Sequence, residues 1–159
     1  MVDFYISYGL SKSASTFAWQ LIKRIAIAGG LPIATLTAKS KGRNSPVDYI
    51  ARLSGEKLRL VRADVGAAPV VIKTHAAATP ATVRLVAEGK ALVFASYRDL
   101  GDVSLSLLDH GARSRVNGSA DFAELRTISD TLVLLRKAVV HFDSWVERCA
   151  PLLIPYDEI

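Results

Sequence analysis

Residues 4–30 read FYISYGLSKSASTFAWQLIKRIAIAGG, and the fold follows from how this stretch is parsed. Phe4, Ile6 and Tyr8 alternate with their neighbours at the period of a strand, so residues 3–8 are predicted as β-strand. A turn of small and hydroxyl residues follows, carrying one lysine. An amphipathic helix over about residues 14–28 comes next, closed by Gly29 and Gly30. The N-terminus of that helix offers orphan N–H donors and partial positive charge, the ingredients of an anion site. Lys12 adds a full charge, and Ser13, Ser15 and Thr16 add hydroxyl donors. The nucleotide loop pattern G-x-x-x-x-G-K-[ST] is absent, because no glycine pair flanks Lys12. Taken alone, hydroxyl residues at a helix start are more often plain caps, and a lone lysine is more often solvated.

The rest of the chain keeps the same alternation. LPIATLTA, residues 31–38, has the look of a short second strand. Ser45-Pro46 is predicted to open a helix, with serine as cap and proline in the first turn. APVVIKTHA is an apolar, β-branched run, which makes Val70 to Lys73 a buried strand. Thr79-Pro80 starts another helix ended by Gly89, ALVFASY is a further buried strand, and RDLGDVSLSLLDHG leads through a loop into a helix. Phe122, Leu125, Ile128, Leu132, Leu135, Val139, Phe142 and Val146 recur every three or four residues, one apolar stripe of a long helix. Pro151 stops it, and LLIPY is the last strand. Strands alternating with helices imply crossover connections: an α/β, three-layer, mainly parallel sheet with flanking helices, forming a single domain over residues 1–159.

Composition narrows the partners. Half of the residues are hydrophobic, a globular balance, and no apolar run approaches the ~20 residues of a membrane-spanning helix. The first residues lack the basic start and apolar stretch of a signal peptide, and the single cysteine, Cys149, excludes an internal disulfide. Both features lead to an expected cytoplasmic location. The three histidines are scattered, so no protein-built metal site is expected. Net charge is +5, with nine basic residues between Lys23 and Arg62 against Asp48 and Glu56. These are not interleaved with aromatics and no nucleic-acid motif accompanies them, so nucleic acid is not the expected partner. A solvated face is the first reading of this stretch, and an anionic small molecule drawn to a positive face the second.

In a parallel sheet, ligands bind outside the carboxyl ends of the strands. Polar residues stand at three of those ends. The first is the Lys12 turn. The second is Lys73-Thr74-His75, where a histidine past a buried strand can accept a proton near neutral pH. The third is Arg98-Asp99, with Ser104 and Ser106 beyond it; Arg98 can fork a phosphate or pair with Asp99 or Asp102. Each alone has an ordinary explanation as a loop or surface residue. Together they fall where one cleft should lie.

These motifs resemble the sulfotransferases that use 3′-phosphoadenosine 5′-phosphosulfate as donor. LSKSASTF, Leu10 to Phe17, is similar to the family's 5′-phosphosulfate loop Tyr-Pro-Lys-Ser-Gly-Thr-Thr-Trp. VVIKTHA resembles its Ile-Lys-Thr-His strand end, whose histidine is the catalytic base. YRDLGDVSLSLL resembles its 3′-phosphate motif, with Arg98 and Ser106 eight residues apart. SWVERCAPLLIPYDEI resembles the segment ending in a Tyr-Glu-Asp-Leu type strand. The resemblance runs in order through nearly the whole chain and implies a P-loop-nucleotide-hydrolase-like core. It departs at Ala14, where glycine is common and where alanine fits only without positive φ, and at Phe17, where tryptophan is usual and stacks on adenine. The family's C-terminal basic glycine-containing segment has no counterpart in this sequence, so a short or truncated member is expected.

What the resemblance implies for chemistry is sulfuryl transfer to a hydroxyl or amine without a metal. Lys12, Lys73 and His75 are the expected catalytic residues. Lys12, Ser13, Ala14, Ser15, Thr16, Phe17, Arg98 and Ser106 are the expected donor-binding ones. The acceptor is expected to be a small molecule or carbohydrate, and a homo-oligomer is an open possibility. A non-catalytic bisphosphate-binding relative is the second reading. A small-molecule or nucleoside kinase is the third, resting on Asp99 and Asp102 as magnesium-holding carboxylates.

Overall fold

The computed structural model describes residues 1–41 and 47–158. Four strands, Phe4–Gly9 (β1), Val70–Thr74 (β2), Ala91–Tyr97 (β3) and Leu152–Pro155 (β4), form an all-parallel sheet in the order β2-β1-β3-β4. Helices Ser15–Ala28 (α1), Ala38–Lys41 (α2) and Gly55–Val65 (α3) lie between β1 and β2 in the chain. Pro80–Ala87 (α4) links β2 to β3, and Leu100–Asn117 (α5) and Ile128–Cys149 (α6) link β3 to β4. The chain leaves β1 toward β2 on one side and takes up β3 on the other, which puts the topological switch between β1 and β3.

Strand alternation sorts the core into two faces. Phe4, Ile6 and Tyr8 of β1, in register with Val70, Ile72, Val93 and Ala95, pack against Leu58 and Val61 of α3 and Trp145 and Cys149 of α6. Tyr5, Val71, Phe94 and Ile154 turn the other way, toward Trp19 and Ile22 of α1. Two buried indoles also anchor backbone: Trp19 Nε1 donates to the Val71 carbonyl at 2.9 Å and Trp145 Nε1 to the Ala76 carbonyl at 2.8 Å. The parallel α/β sheet with helices on both faces agrees with the sequence-based expectation.

Two elements differ from that expectation, and a third cannot be compared. Residues 31–38 make only an isolated bridge, Ala34 to Val70, before α2 begins. Side chains take the later N–H groups of this segment instead of a ladder: the buried Asp48 carboxylate, which also holds Lys23 at 3.0 Å and Lys41 at 3.5 Å, accepts from Leu36 N at 3.1 Å, and Asp64 accepts from Thr37 N at 2.9 Å. The helix start predicted at Ser45-Pro46 lies outside the described residues. The next helix, α3, is capped by Ser54, whose hydroxyl accepts from Lys57 N. The long apolar stripe is split as well. Phe122 has φ +59 and lies with Leu125 in the connection to α6, which opens with a Thr127–Asp130 capping box. Ile128 (49% exposed) and Leu132 (44%) then face outward.

Candidate functional site

Gly9 ends β1 where α1 crosses closest. A Cβ there would stand 2.3 Å from Ser96 Oγ and 2.5 Å from Ser15 Cβ, so only glycine lets the helix start meet the sheet edge. The turn that follows alternates in handedness: Lys12 has φ +65 and Ala14 φ +53, with Ser13 between them at negative φ. Alternation of this kind turns successive N–H groups toward one point, an anion-binding concavity. The Ser13 hydroxyl is turned inward, donating to the Leu10 carbonyl at 2.7 Å and lying 3.1 Å from both Ser96 oxygens, so it pins the turn to β3. α1 starts at Ala14 with no side-chain cap, whereas α3, α4, α5 and α6 are capped by Ser54, Thr79, Asp99 and Thr127. The helix whose N-terminus faces this turn thus has no side-chain acceptor of its own there, a place that an outside partner would take.

That partner would sit in a cavity of about 420 Å³, lined by Lys12, Ala14, Ser15 and Thr16, by Lys73 and His75, by Arg98 and Ser106, and by Ser11, Phe122 and Tyr156. Residues following each of the four strands meet here, as the carboxyl-edge rule requires. Of the residues singled out from the sequence, Lys12, Ala14, Ser15, Thr16, Lys73, His75, Arg98 and Ser106 share this cavity. Ser13 and Phe17 do not line it; Phe17 is 49% exposed on the outside of α1.

The cations of the cavity are held in place. Lys73, buried, donates to Thr16 Oγ1 at 2.7 Å, tying the end of β2 to the first turn of α1. Lys12 Nζ donates to His110 Nδ1 at 2.9 Å, tying the turn to α5. Partial burial and then the Arg113 charge lower the Lys12 pKa, with Asp109 opposing. Arg98 grips Asp102 at 3.1 Å through Nη2, and its guanidinium lies 4.0 Å from the centre of the Tyr156 ring.

His75 is fixed through one ring nitrogen. Its Nδ1 donates to the Gly9 carbonyl at 2.6 Å, which leaves Nε2 with a free lone pair. The Tyr49 ring packs against the imidazole, 5.6 Å between centroids. Burial, followed by the nearby Lys73 charge, pushes the His75 pKa below 6.5, and the Gly9 carbonyl opposes this only in part. The imidazole is therefore neutral at pH 7 and able to act as a base.

Some site residues escaped the sequence reading. Tyr156 follows β4, and the strand-end rule applied to the last strand would have found it. His110 lies one helical turn beyond Ser106, on the same face of α5. Gly9, closing an apolar strand ahead of a turn, carried a signal that passed unused. Among the described residues, no group of three or more His, Cys, Asp or Glu is placed to hold a metal. No helix there is long and apolar enough to cross a membrane. No family model matches the chain, and no curated protein matches it.

Proposed function

We propose that the chain transfers a sulfuryl group from 3′-phosphoadenosine 5′-phosphosulfate to a hydroxyl or amine acceptor. The observation that carries this reading is the meeting of Lys12, the uncapped start of α1, Lys73, His75, Arg98 and Ser106 around one cavity. The 5′-phosphosulfate would lie on the α1 N–H groups with Lys12, Lys73, Ser15 and Thr16 around its oxygens, and Arg98 and Ser106 would take the 3′-phosphate. An acceptor oxygen attacks sulfur while the bond from sulfur to the bridging oxygen breaks. The acceptor proton passes to His75 Nε2, and the leaving bisphosphate keeps the electron pair and the new charge. Lys12 and the loop N–H groups would stabilise that charge, and no metal is needed.

A kinase reading has less support. Asp99 caps α5 by accepting from Asp102 N, and Asp102 is committed to Arg98, so neither carboxylate is left waiting for magnesium. The deciding experiment pairs binding with turnover, using labelled donor and a panel of hydroxyl and amine acceptors. His75→Ala should keep adenosine 3′,5′-bisphosphate affinity within about twofold and lower turnover by about 10²–10⁴-fold. Full turnover in this variant would remove His75 as the base. Bisphosphate binding without transfer to any acceptor would leave a binding protein only.

A further inference from the structure

His75 also lines a second, larger cavity of about 680 Å³, which shares only Ser11, His75 and Phe122 with the first. Its walls are mainly apolar, with Leu10, Val103, Leu107, Phe122, Leu134 and Leu135 among them. The volume suits a fused-ring molecule rather than an extended polymer. Among the described residues, its charged lining is Arg52 and Lys137, with no carboxylate.

Lys23, Lys41, Arg62, Lys90, Arg98 and Arg113 are each held by a carboxylate. Arg52 and Lys137 make no ion pair among the described residues, and both stay exposed at the cavity mouth. Arg52 also borders an adjoining cavity of about 380 Å³ with Arg59 and Arg84, whose described lining residues again include no carboxylate. A cleft with low-dielectric walls and uncompensated positive charge at its opening focuses an attractive field on anions. Among its polar lining residues is His141, which donates from Nδ1 to the His75 carbonyl at 3.0 Å and so leaves Nε2 for a ligand hydroxyl.

We propose that this cavity holds the acceptor, and that the acceptor is an apolar alcohol or phenol of ring-system size carrying an anionic group. The hydroxyl lies at His75, the apolar body fills the space between α5 and α6, and the anion rests at the mouth between Arg52 and Lys137. The exposed position of both cations matters, because a carboxylate or sulfate held there keeps part of its hydration and escapes the cost of a buried ion pair. The inference rests on the sulfuryl-transfer reading only for what happens to the hydroxyl.

The test compares 6-hydroxy-2-naphthoate with 2-naphthol, the same ring and hydroxyl with and without a carboxylate. Binding of each to the full chain is measured by calorimetry, with and without saturating adenosine 3′,5′-bisphosphate. The naphthoate should bind about tenfold more tightly, as one charge-assisted contact at a partly hydrated site provides. In the Arg52→Ala/Lys137→Ala double variant the preference should fall to about twofold or less, with bisphosphate affinity unchanged. Both residues are exposed, and an unchanged melting temperature verifies that the variant folds. Equal binding of the two probes, no binding of either, or a preference that survives in the variant would overturn the proposal. The two readings fail separately: loss of bisphosphate binding with the naphthoate preference intact strikes the donor assignment, and the reverse result strikes the acceptor assignment.

Discussion

Ala14 is the residue at which sequence and backbone disagree most openly. It begins α1 at φ +53, ψ +25, the left-handed region, where a Cβ costs about 1–2 kcal/mol. Glycine there would relieve the strain but lose more entropy on folding, so Ala14→Gly is expected to stabilise the chain by about 0.5–1 kcal/mol, measured by urea unfolding. A loss of stability would mean that the turn does not adopt this conformation in solution. His75 makes a second residue-scale prediction through its proton. Its pKa is lower folded than its ordinary 6.5, so the unfolded chain binds the proton first as pH falls. The stability contributed by neutral His75 is complete above pH 6.5 and is lost as pH drops through the window down to the folded value. Unfolding at pH 7.5 and 5.5 should therefore show a larger loss for the wild-type chain than for His75→Gln. Equal losses would place the imidazole in water.

At the scale of elements, caps and close approaches decide where segments start. Thr79 serves α4 twice: its hydroxyl accepts from Thr82 N at 3.2 Å and donates to the Leu53 carbonyl at 2.7 Å, fastening α4 to the approach of α3. Thr79→Ala should cost about 1–2 kcal/mol in chemical denaturation, the upper range for a cap, because the Leu53 carbonyl also loses its donor. Valine, which keeps the shape and lacks the hydroxyl, should cost as much if hydrogen bonding is the reason. The sequence made this cap legible, since Thr79-Pro80 is a local signal, and it made β1, β2 and β3 legible through runs of apolar residues. It could not separate Phe122 and Leu125 from α6, because helical spacing continues across the turn while only the Thr127 box marks the true start. Nor could alternation in residues 31–38 reveal that Asp48, a dozen positions on, would take up the Leu36 N–H.

At the scale of the whole molecule, the sheet does the positioning. Strand ends widely separated in sequence meet because parallel strands share one carboxyl edge, and that much of the site was legible once the strands were assigned. What stayed hidden were contacts with no local signature: Lys12 on His110, Arg98 stacked on Tyr156, and the Ser13 hydroxyl turned toward Ser96 instead of a ligand. These contacts shape the last prediction. A ligand that spans the cavity must engage the α1 start and Arg98 together, and adenosine 3′,5′-bisphosphate has a phosphate for each. If bound only by the folded chain, at a hundred times its dissociation constant, it should stabilise by about 2.7 kcal/mol, a rise of about 5–10 °C for a chain of this size. ATP with magnesium places its charge in one chain of phosphates and leaves Arg98 on Asp102, so its rise should be smaller at equal concentration. Asp102→Asn sharpens the comparison. Arg98 is then released from its carboxylate, and bisphosphate affinity should increase a few-fold, on the order of the ~0.2–1 kcal/mol that an exposed ion pair contributes, while ATP affinity stays unchanged. An equal gain for both ligands would mean that Arg98 does not distinguish a 3′-phosphate, and a larger thermal shift with ATP and magnesium would turn the assignment toward phosphoryl transfer.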